Sequence, residues 1–548
     1  MTSSLMNVLK KADADRKAMN WSAACLGYQL AQQQTPEHAS VAHNLALCYL
    51  ALDQADEAIL QSQRALKLNP QMWQSALVQA KALVKRREKP AALSLLQRLH
   101  ALLPDNPEIR LELANLTLHL LGDAPTAREL VQPLLGSAQH RRDAEITSLV
   151  TQLYDRDTGI SAKQVNQGFL NFGAHQLQLD ASKFHDNALP THRLDPPVPA
   201  DLKVRGRLRV GLISPQFFAS PVYFFGFGAL QHLSMAVDLV VFNRGGKRDW
   251  ATEAFQRISA DWFDVGHLGA EQLAKEIARH GLDVLIDLGG WMDPVALSAL
   301  SAKPAKKLYK WVGGQSVTTG LKSFDGFLTD RYQTPVGSDA LYSEPLIRLK
   351  SGYVTYTPPS YLPTPIKLRS VLRSSRVDLG VIANPGKVSR AFLADLAQRH
   401  KQWQSASQVV IRLVFIDQRY QHPAVCQRIK SALTGVELQF ICPASHLEYL
   451  TAVSSLDATI DTWPYSGGLT TIEALAVGVP AYTHVGELFC ERHTYAHCLY
   501  AGMRLSDFDL EHFDGVPQLG RPGKTLLKSD SPRMNHAGLA DELLSIID

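Results

Sequence analysis

The sequence predicts an α-helical repeat array followed by two parallel α/β halves, and three observations carry that reading. Prolines recur at Pro36, Pro70 and Pro104, each 34 residues from the last. Short apolar runs alternate with helical stretches in two series, on either side of a proline-rich break at 358–365. A glycine turn at 461–480, DTWPYSGGLTTIEALAVGVP, joins the last apolar run of the second series to a helix start.

The spacing of 34 is the period of the tetratricopeptide repeat, a helix–turn–helix unit. The register extends beyond proline. Ala24, Ala58 and Ala92 each precede a proline by 12 residues, where two helices must approach closely. Tyr28, Ala31 and Ala65 occupy packing positions of second helices, and Leu45, Ala46 and Tyr49 fit a first helix. Units are expected at 5–38, 39–72, 73–106 and 107–141, the last disturbed near Gly122 and Pro125. This makes 1–142 a solenoid whose concave face suits a peptide or protein.

A helical connector with a proline-rich linker at 192–204 is expected over 143–204. The first α/β half, 205–365, has strand candidates at 207–213, 237–242, 284–288 and 309–312, with a helix at 270–280. The second, 366–530, has them at 377–383, 409–415, 436–441 and 458–460. Strands alternating with helices imply parallel sheets, which bind ligands beyond the carboxyl ends of their strands. A short amphipathic helix at 539–547 is expected to close the fold within 531–548.

Composition narrows the function classes. With 548 residues, 45% apolar and 20% charged, the chain suits a soluble multidomain protein. A formal charge of +4 without a long Lys/Arg run does not call for nucleic acid. The six cysteines form no CxxC pair, so neither a zinc site nor a disulfide framework is indicated. The start of the chain has no signal-type apolar core and no run reaches membrane-spanning length, so a cytoplasmic protein is expected.

The turn at 461–480 has the makings of an anion site. Gly467 and Gly468 let backbone approach a ligand, and a helix starting at Thr470 or Thr471 offers free N–H groups to phosphate. Glu473 lies one turn in, within reach of a ribose hydroxyl. An ordinary strand-to-helix connection accounts for the shape equally well.

Four stretches carry a family resemblance. They are LRVGLISP at 208–215 followed by Phe217 and Phe218; AKPA at 302–305 with WVG at 311–313 and TTG at 318–320; GVIANPGK at 380–387; and the 461–480 turn with Gly486 and Glu487 after it. Behind the repeats, these resemble the O-GlcNAc transferases and the plant SPINDLY-type O-fucosyltransferases; bacterial N-glucosyltransferases of adhesins are more distant kin. The resemblance implies a GT-B glycosyltransferase fold of two Rossmann-like domains. It implies that Lys387, with Asn384, contacts the donor diphosphate and offsets charge on the leaving nucleotide. It places Ala444, His446 and Tyr449 at the base. Gly467, Gly468, Thr470 and Thr471 fall at the diphosphate and Glu473 at the ribose. Thr318, Thr319, Gly320 and Trp291 fall on the sugar and acceptor side.

The acceptor side departs from the family pattern. Ser220 stands where relatives usually have a histidine, and a serine is no general base near neutral pH without help. Trp291 stands where histidine or tyrosine is frequent. Asp287 and Asp293 flank it as acid/base candidates, although strand-end aspartates more often cap loops. His493 and His497, at i and i+4, share a helix face, where packing outweighs metal binding as an explanation. The expected activity is inverting transfer of a sugar, GlcNAc from UDP-GlcNAc by family frequency, onto Ser or Thr of a protein held by the repeats. No cofactor or metal is expected. Two alternatives stay open: another GDP- or UDP-hexose donor or an Asn acceptor on the same fold, and a non-catalytic repeat scaffold with a remnant nucleotide site.

Overall fold

The computed structural model describes residues 3–157, 159–179, 206–365, 376–517 and 525–548. The proline-rich linker expected at 192–204 and the domain boundaries at 204/205 and 365/366 lie outside or at the edge of these residues. The chain divides into two compact units, Met1–Ser148 and Leu149–Asp548.

The first unit is built of antiparallel helix pairs. Ser3–Lys17 packs on Trp21–Gln34, Ala39–Ala51 on Ala55–Leu68, and Trp73–Lys85 on Lys89–Leu102. Ala24, Ala58 and Ala92 are fully buried at the crossings, where a larger side chain would force the helices apart. Tyr28 is buried too, and its hydroxyl is held by the Asp13 carboxylate and by Arg16 Nε. The fourth pair is the irregular one. Pro107–Leu116 runs on as a π turn at Thr117–Leu121, and Asp123 then caps Ala124–Val131 by accepting from Thr126 N at 3.2 Å.

The second unit contains two all-parallel sheets. The first comprises β1 (Arg209–Ser214), β2 (Asp238–Asn243), β3 (Asp261–Asp264), β4 (Val284–Asp287), β5 (Lys307–Lys310), β6 (Gly326–Thr329) and β7 (Leu346–Arg348), in the order β3-β2-β1-β4-β5-β6-β7. The second comprises β8 (Arg376–Val381), β9 (Val410–Ile416), β10 (Leu438–Ile441), β11 (Ala458–Ile460) and β12 (Ala481–Tyr482), ordered β10-β9-β8-β11-β12. Strand order reverses between β1 and β4 and between β8 and β11. At such a reversal adjacent loops diverge and leave a crevice. Strands β3, β6, β7 and β12 were not legible in advance. They are two to four residues long, and DWFD in β3 lacks a β-branched run.

Two segments bind the halves together. Helix Ala162–Gln176 lies on the first half, where Gly173 meets Gly320 backbone to backbone. A Cβ on Gly173 would stand 2.1 Å from Thr319 O, so only glycine fits. The C-terminal helix His536–Ile547, capped by Asn535, returns from the second half and packs on Pro221–Leu233 of the first. Its Leu539, Leu543 and Ile547 enter the first half's core. Arg533 anchors this return. It is fully buried, donates to Val354 O at 2.7 Å, faces Asp330 at 3.6 Å and lies over the Tyr500 ring at 4.3 Å. No helix among the described residues is long and apolar enough to cross a membrane.

Truncating Arg533 leaves the buried Asp330 without its counter-charge. Arg533→Ala is expected to cost about 3–5 kcal/mol, read as a lower denaturant midpoint in chemical unfolding.

Candidate functional site

The β8/β11 reversal builds the site. Ile460 ends β11, and Asp461 follows with a nearly buried carboxylate. One oxygen accepts from Gly467 N at 2.7 Å; the other accepts from Ser466 Oγ at 2.6 Å and Thr483 Oγ1 at 2.7 Å. These charge-assisted bonds fold 461–467 back on itself. The helix Leu469–Ala476 then begins from Gly468, one or two residues earlier than the sequence indicated. Helix His493–Tyr500 braces the turn, with Thr494 N donating to Ser466 Oγ and Thr494 Oγ1 meeting Thr471 Oγ1. The amides of Gly468, Leu469 and Thr470 have no acceptor among the described residues. They form a half-exposed cluster of donors at a helix N-terminus, as an anion requires.

Lys387 reaches the same place from β8. Asn384 caps the short turn Pro385–Lys387 by accepting from Gly386 N at 3.0 Å. The Lys387 ammonium donates to Ser466 O at 2.8 Å and lies 4.4 Å from the centre of the Tyr465 ring. Burial lowers its pKa to about 8, with Asp461 and Cys490 pulling the other way. A poorly hydrated cation beside unpaired amides is a strong anion ligand.

A second cluster lies where a base and ribose are expected. Glu473 is buried and accepts from His446 Nε2 at 2.7 Å, while His446 Nδ1 meets the Tyr361 hydroxyl at 2.9 Å. Burial raises the Glu473 carboxyl, and His446 opposes that rise. Tyr449 stacks parallel to His446 and Phe224 of the first half tilts against it. The Tyr449 hydroxyl is buried without a partner, and burial pushes its pKa well up. Ala444 is exposed, but its N–H is taken by Glu448 at 2.9 Å.

On the first half the singled-out residues have structural duties. Ser220 caps Pro221–Leu233, accepting from Val222 N and donating to Gln216 O, so its hydroxyl is committed. Asp287 is fully buried, accepts from the amides of Gly289 and Gly290 and faces Lys310 at 3.5 Å. Burial raises the Asp287 carboxyl and lowers the Lys310 amine. Asp287 thus holds a turn and is shielded from solvent. Asp293 caps Pro294–Leu300 and pairs with Arg244 at 2.7 Å. The Trp291 indole N–H donates to Thr318 O at 2.9 Å, and its ring packs edge-on against Phe169 of the connector helix. Thr318 and Thr319 are buried, with both hydroxyls on Glu344. Gly320 lies under the connector helix. These four residues seat the connector and do not face an open cleft.

Two contributors escaped the sequence reading, and a third, His493, was read only as a packing histidine. Tyr465 carries Lys387, and Ser316 joins the halves through Tyr465 OH at 2.9 Å and Cys490 N at 3.0 Å. His493 lies beside Gly468 and meets Gln333 Nε2 at 3.2 Å; burial, with Lys387 and Arg533 nearby, lowers its pKa to about 3. It is a neutral imidazole at any physiological pH. Tyr465 was inside the quoted turn and Ser316 beside TTG, so their neighbourhood was visible even though their contacts were not. His497 is buried against Phe225 and its ring nitrogens have no partner. No cluster of three metal-ligating side chains occurs among the described residues.

The two sheets, their reversed crevices and the crossing C-terminal helix define a GT-B type α/β fold behind helical repeats. A tetratricopeptide-repeat family model matches 90–153. The chain is 28% identical over 294 residues to a tomato (Solanum lycopersicum) protein named as a probable UDP-N-acetylglucosamine–peptide N-acetylglucosaminyltransferase SPINDLY, covering 51% of this chain and 31% of that one. The Arabidopsis thaliana protein of the same name is 27% identical over 295 residues, with 51% and 31% covered. A mutant O-GlcNAc transferase of Thermobaculum terrenum superposes with a TM-score of 0.67 at 21% identity, covering 100% of this chain and 98% of its own. The chain is thus similar to proteins of the O-GlcNAc transferase/SPINDLY type and spans about a third of the length of the curated relatives it matches.

The two glycines of the turn separate folding from binding. A Cβ on Gly467 would stand 2.7 Å from Thr471 Oγ1 and 3.1 Å from Asp461, whereas one on Gly468 meets nothing nearer than 3.8 Å. Gly467→Ala is expected to destabilise by about 1–3 kcal/mol, whereas Gly468→Ala keeps the melting temperature and weakens nucleoside-diphosphate binding. Lys387 adds a pH signature. Its pKa is lowered to about 8, so it is charged below that value and neutral above it. An anion favours the charged form, so diphosphate affinity is full below this pKa and falls as pH rises through it. Calorimetric titrations between about pH 7.5 and 9, which bracket this pKa and stay below ionisation of the nucleotide base, read that loss.

Proposed function

We propose that the chain is a nucleotide-sugar-dependent protein glycosyltransferase that moves GlcNAc from UDP-GlcNAc, with inversion, onto Ser or Thr of a protein recruited by the repeats. The observation that carries this reading is the convergence of the Lys387 ammonium and the unpaired amides of 468–470 at the β8/β11 reversal. It supplies a cation and dipoles where a leaving diphosphate needs them. The names of the relatives support the donor and the class of reaction. The repeats support a protein acceptor.

In this reading the acceptor hydroxyl oxygen attacks the anomeric carbon from the face opposite the diphosphate. The C1–O bond breaks with its electron pair moving to the departing phosphate oxygen, where Lys387 and the amides stabilise it. Ser220 is committed as a helix cap and His493 is held neutral with a pKa near 3, so neither accepts the proton near neutral pH. A donor phosphate oxygen takes it. The His446–Glu473 pair meets the ribose and base, and GDP-sugars and other UDP-hexoses are to be tested alongside UDP-GlcNAc. The locked first-half residues favour a second reading, a repeat scaffold that binds a nucleotide without transfer.

Wild type and Lys387→Ala incubated with a panel of nucleotide sugars and cell-extract proteins separate the two. Transfer predicts nucleotide release and a hexosamine mass shift on Ser or Thr, reduced in Lys387→Ala by about 10²–10³-fold. Nucleotide binding with no release for any donor is the result that supports the scaffold.

A further inference from the structure

The connector supplies three consecutive residues to the wall of the diphosphate site. Helix Arg141–Tyr154 ends in Tyr154, whose ring stacks on Tyr465 with centroids 5.0 Å apart and planes 14° from parallel. Tyr465 is the ring that faces the Lys387 ammonium at 4.4 Å. Asp155 accepts from both the backbone N and Nε of Arg390, each at 3.1 Å. Arg390 opens the helix that follows the Lys387 turn. Arg156 pairs with Glu491, whose other oxygen accepts from Glu487 N at 2.8 Å and Leu488 N at 3.1 Å. One tripeptide therefore grips Tyr465, the start of the helix beyond Lys387, and the loop before helix His493–Tyr500. Each of these segments flanks the Lys387 side chain.

Resting on the diphosphate site described above, we propose that residues 154–156 are a positioning element for Lys387, in which Tyr154 stacked on Tyr465 fixes the place of the ammonium and keeps water from it. The physical basis is the ring quadrupole. An aromatic face attracts a cation only where the ring is held, and the attraction grows as water is removed. Tyr465 is held by Ser316 at its hydroxyl and by Tyr154 at its ring. The charged and titratable groups that face Lys387 are Asp461, Cys490, Arg419 and His493. Burial pushes the Cys490 thiol and the Tyr154 hydroxyl each up to about 12, so both are neutral. Tyr154 is therefore uncharged beside Lys387, and the proposal assigns its effect on the ammonium to the ring, which a phenylalanine keeps.

Competitive acetylation of the protein across pH, with mass spectrometry of the Lys387 peptide, tests this without any nucleotide. Wild type and Tyr154→Phe should titrate alike. Tyr154→Ala should move the Lys387 midpoint about one unit toward the ordinary lysine value and speed its labelling, and should weaken UDP binding about tenfold in separate calorimetry. A role confined to folding lowers the melting temperature but leaves the midpoint of the folded protein in place. An unmoved midpoint in Tyr154→Ala, or in Tyr154→Leu should the alanine form not fold, overturns the proposal. A midpoint that moves in a protein that binds neither UDP nor GDP upholds the positioning role and removes the nucleotide reading instead.

Discussion

The carboxylate of Asp461 is the constraint on which the second half's site depends. It sits at the end of a three-residue strand with almost no exposure, and it has three donors, all from the loops that follow β11 and β12. A buried carboxylate left without partners is very costly, and one with three short bonds is a rigid fastening. By pulling in Ser466 and Gly467 it leaves the next three amides with nothing to bond. It also presents Ser466 O to Lys387. Folding has thus satisfied one anion fully in order to hold open a place for another.

Legibility in the sequence followed the range of the interactions. The 34-residue register and the buried strands β1, β8, β9 and β11 depend on local pattern, and they could be read because apolar periodicity and proline spacing are local. The glycine turn could be read because a backbone anion site needs glycine and a helix start in sequence; Lys387 and Asn384 were named only through the family resemblance, and the structure places the Lys387 ammonium on Ser466 O of that turn. The parts that stayed hidden are tertiary. The stack of Tyr154 on Tyr465 joins residues more than 300 positions apart in the chain, and nothing in either neighbourhood announces it. Asp287 looked like an acid/base candidate because it is an aspartate at a strand end. Lys310, which neutralises it, comes from the next strand of the sheet, and that pairing requires the register between β4 and β5.

The first half shows how a site wall can be converted into scaffold. Ser220, Asp287, Trp291, Thr318 and Thr319 all have their polar atoms bonded within the protein. The bonds between Trp291, Thr318, Thr319 and Glu344, with the Gly173–Gly320 contact above them, make a seat for the connector helix. Such a seat gains from being dry and close-packed, whereas a catalytic wall must leave polar atoms for substrate. The departure at Trp291 coincides with this seat, whereas the one at Ser220 is taken up in a helix cap.

The same economy bears on how the two halves move. Their junction is polar and specific at Ser316, which bonds Tyr465 by its hydroxyl and Cys490 by its carbonyl, and apolar where His536–Ile547 crosses onto Pro221–Leu233. The connector adds a third attachment, with Tyr154, Asp155 and Arg156 on the second half and Phe169, Phe172 and Gly173 on the first. Three attachments around one crevice resist hinge opening better than the single crossing of a two-domain protein. Burial beneath these attachments takes water from Lys387 and accounts for its depressed pKa.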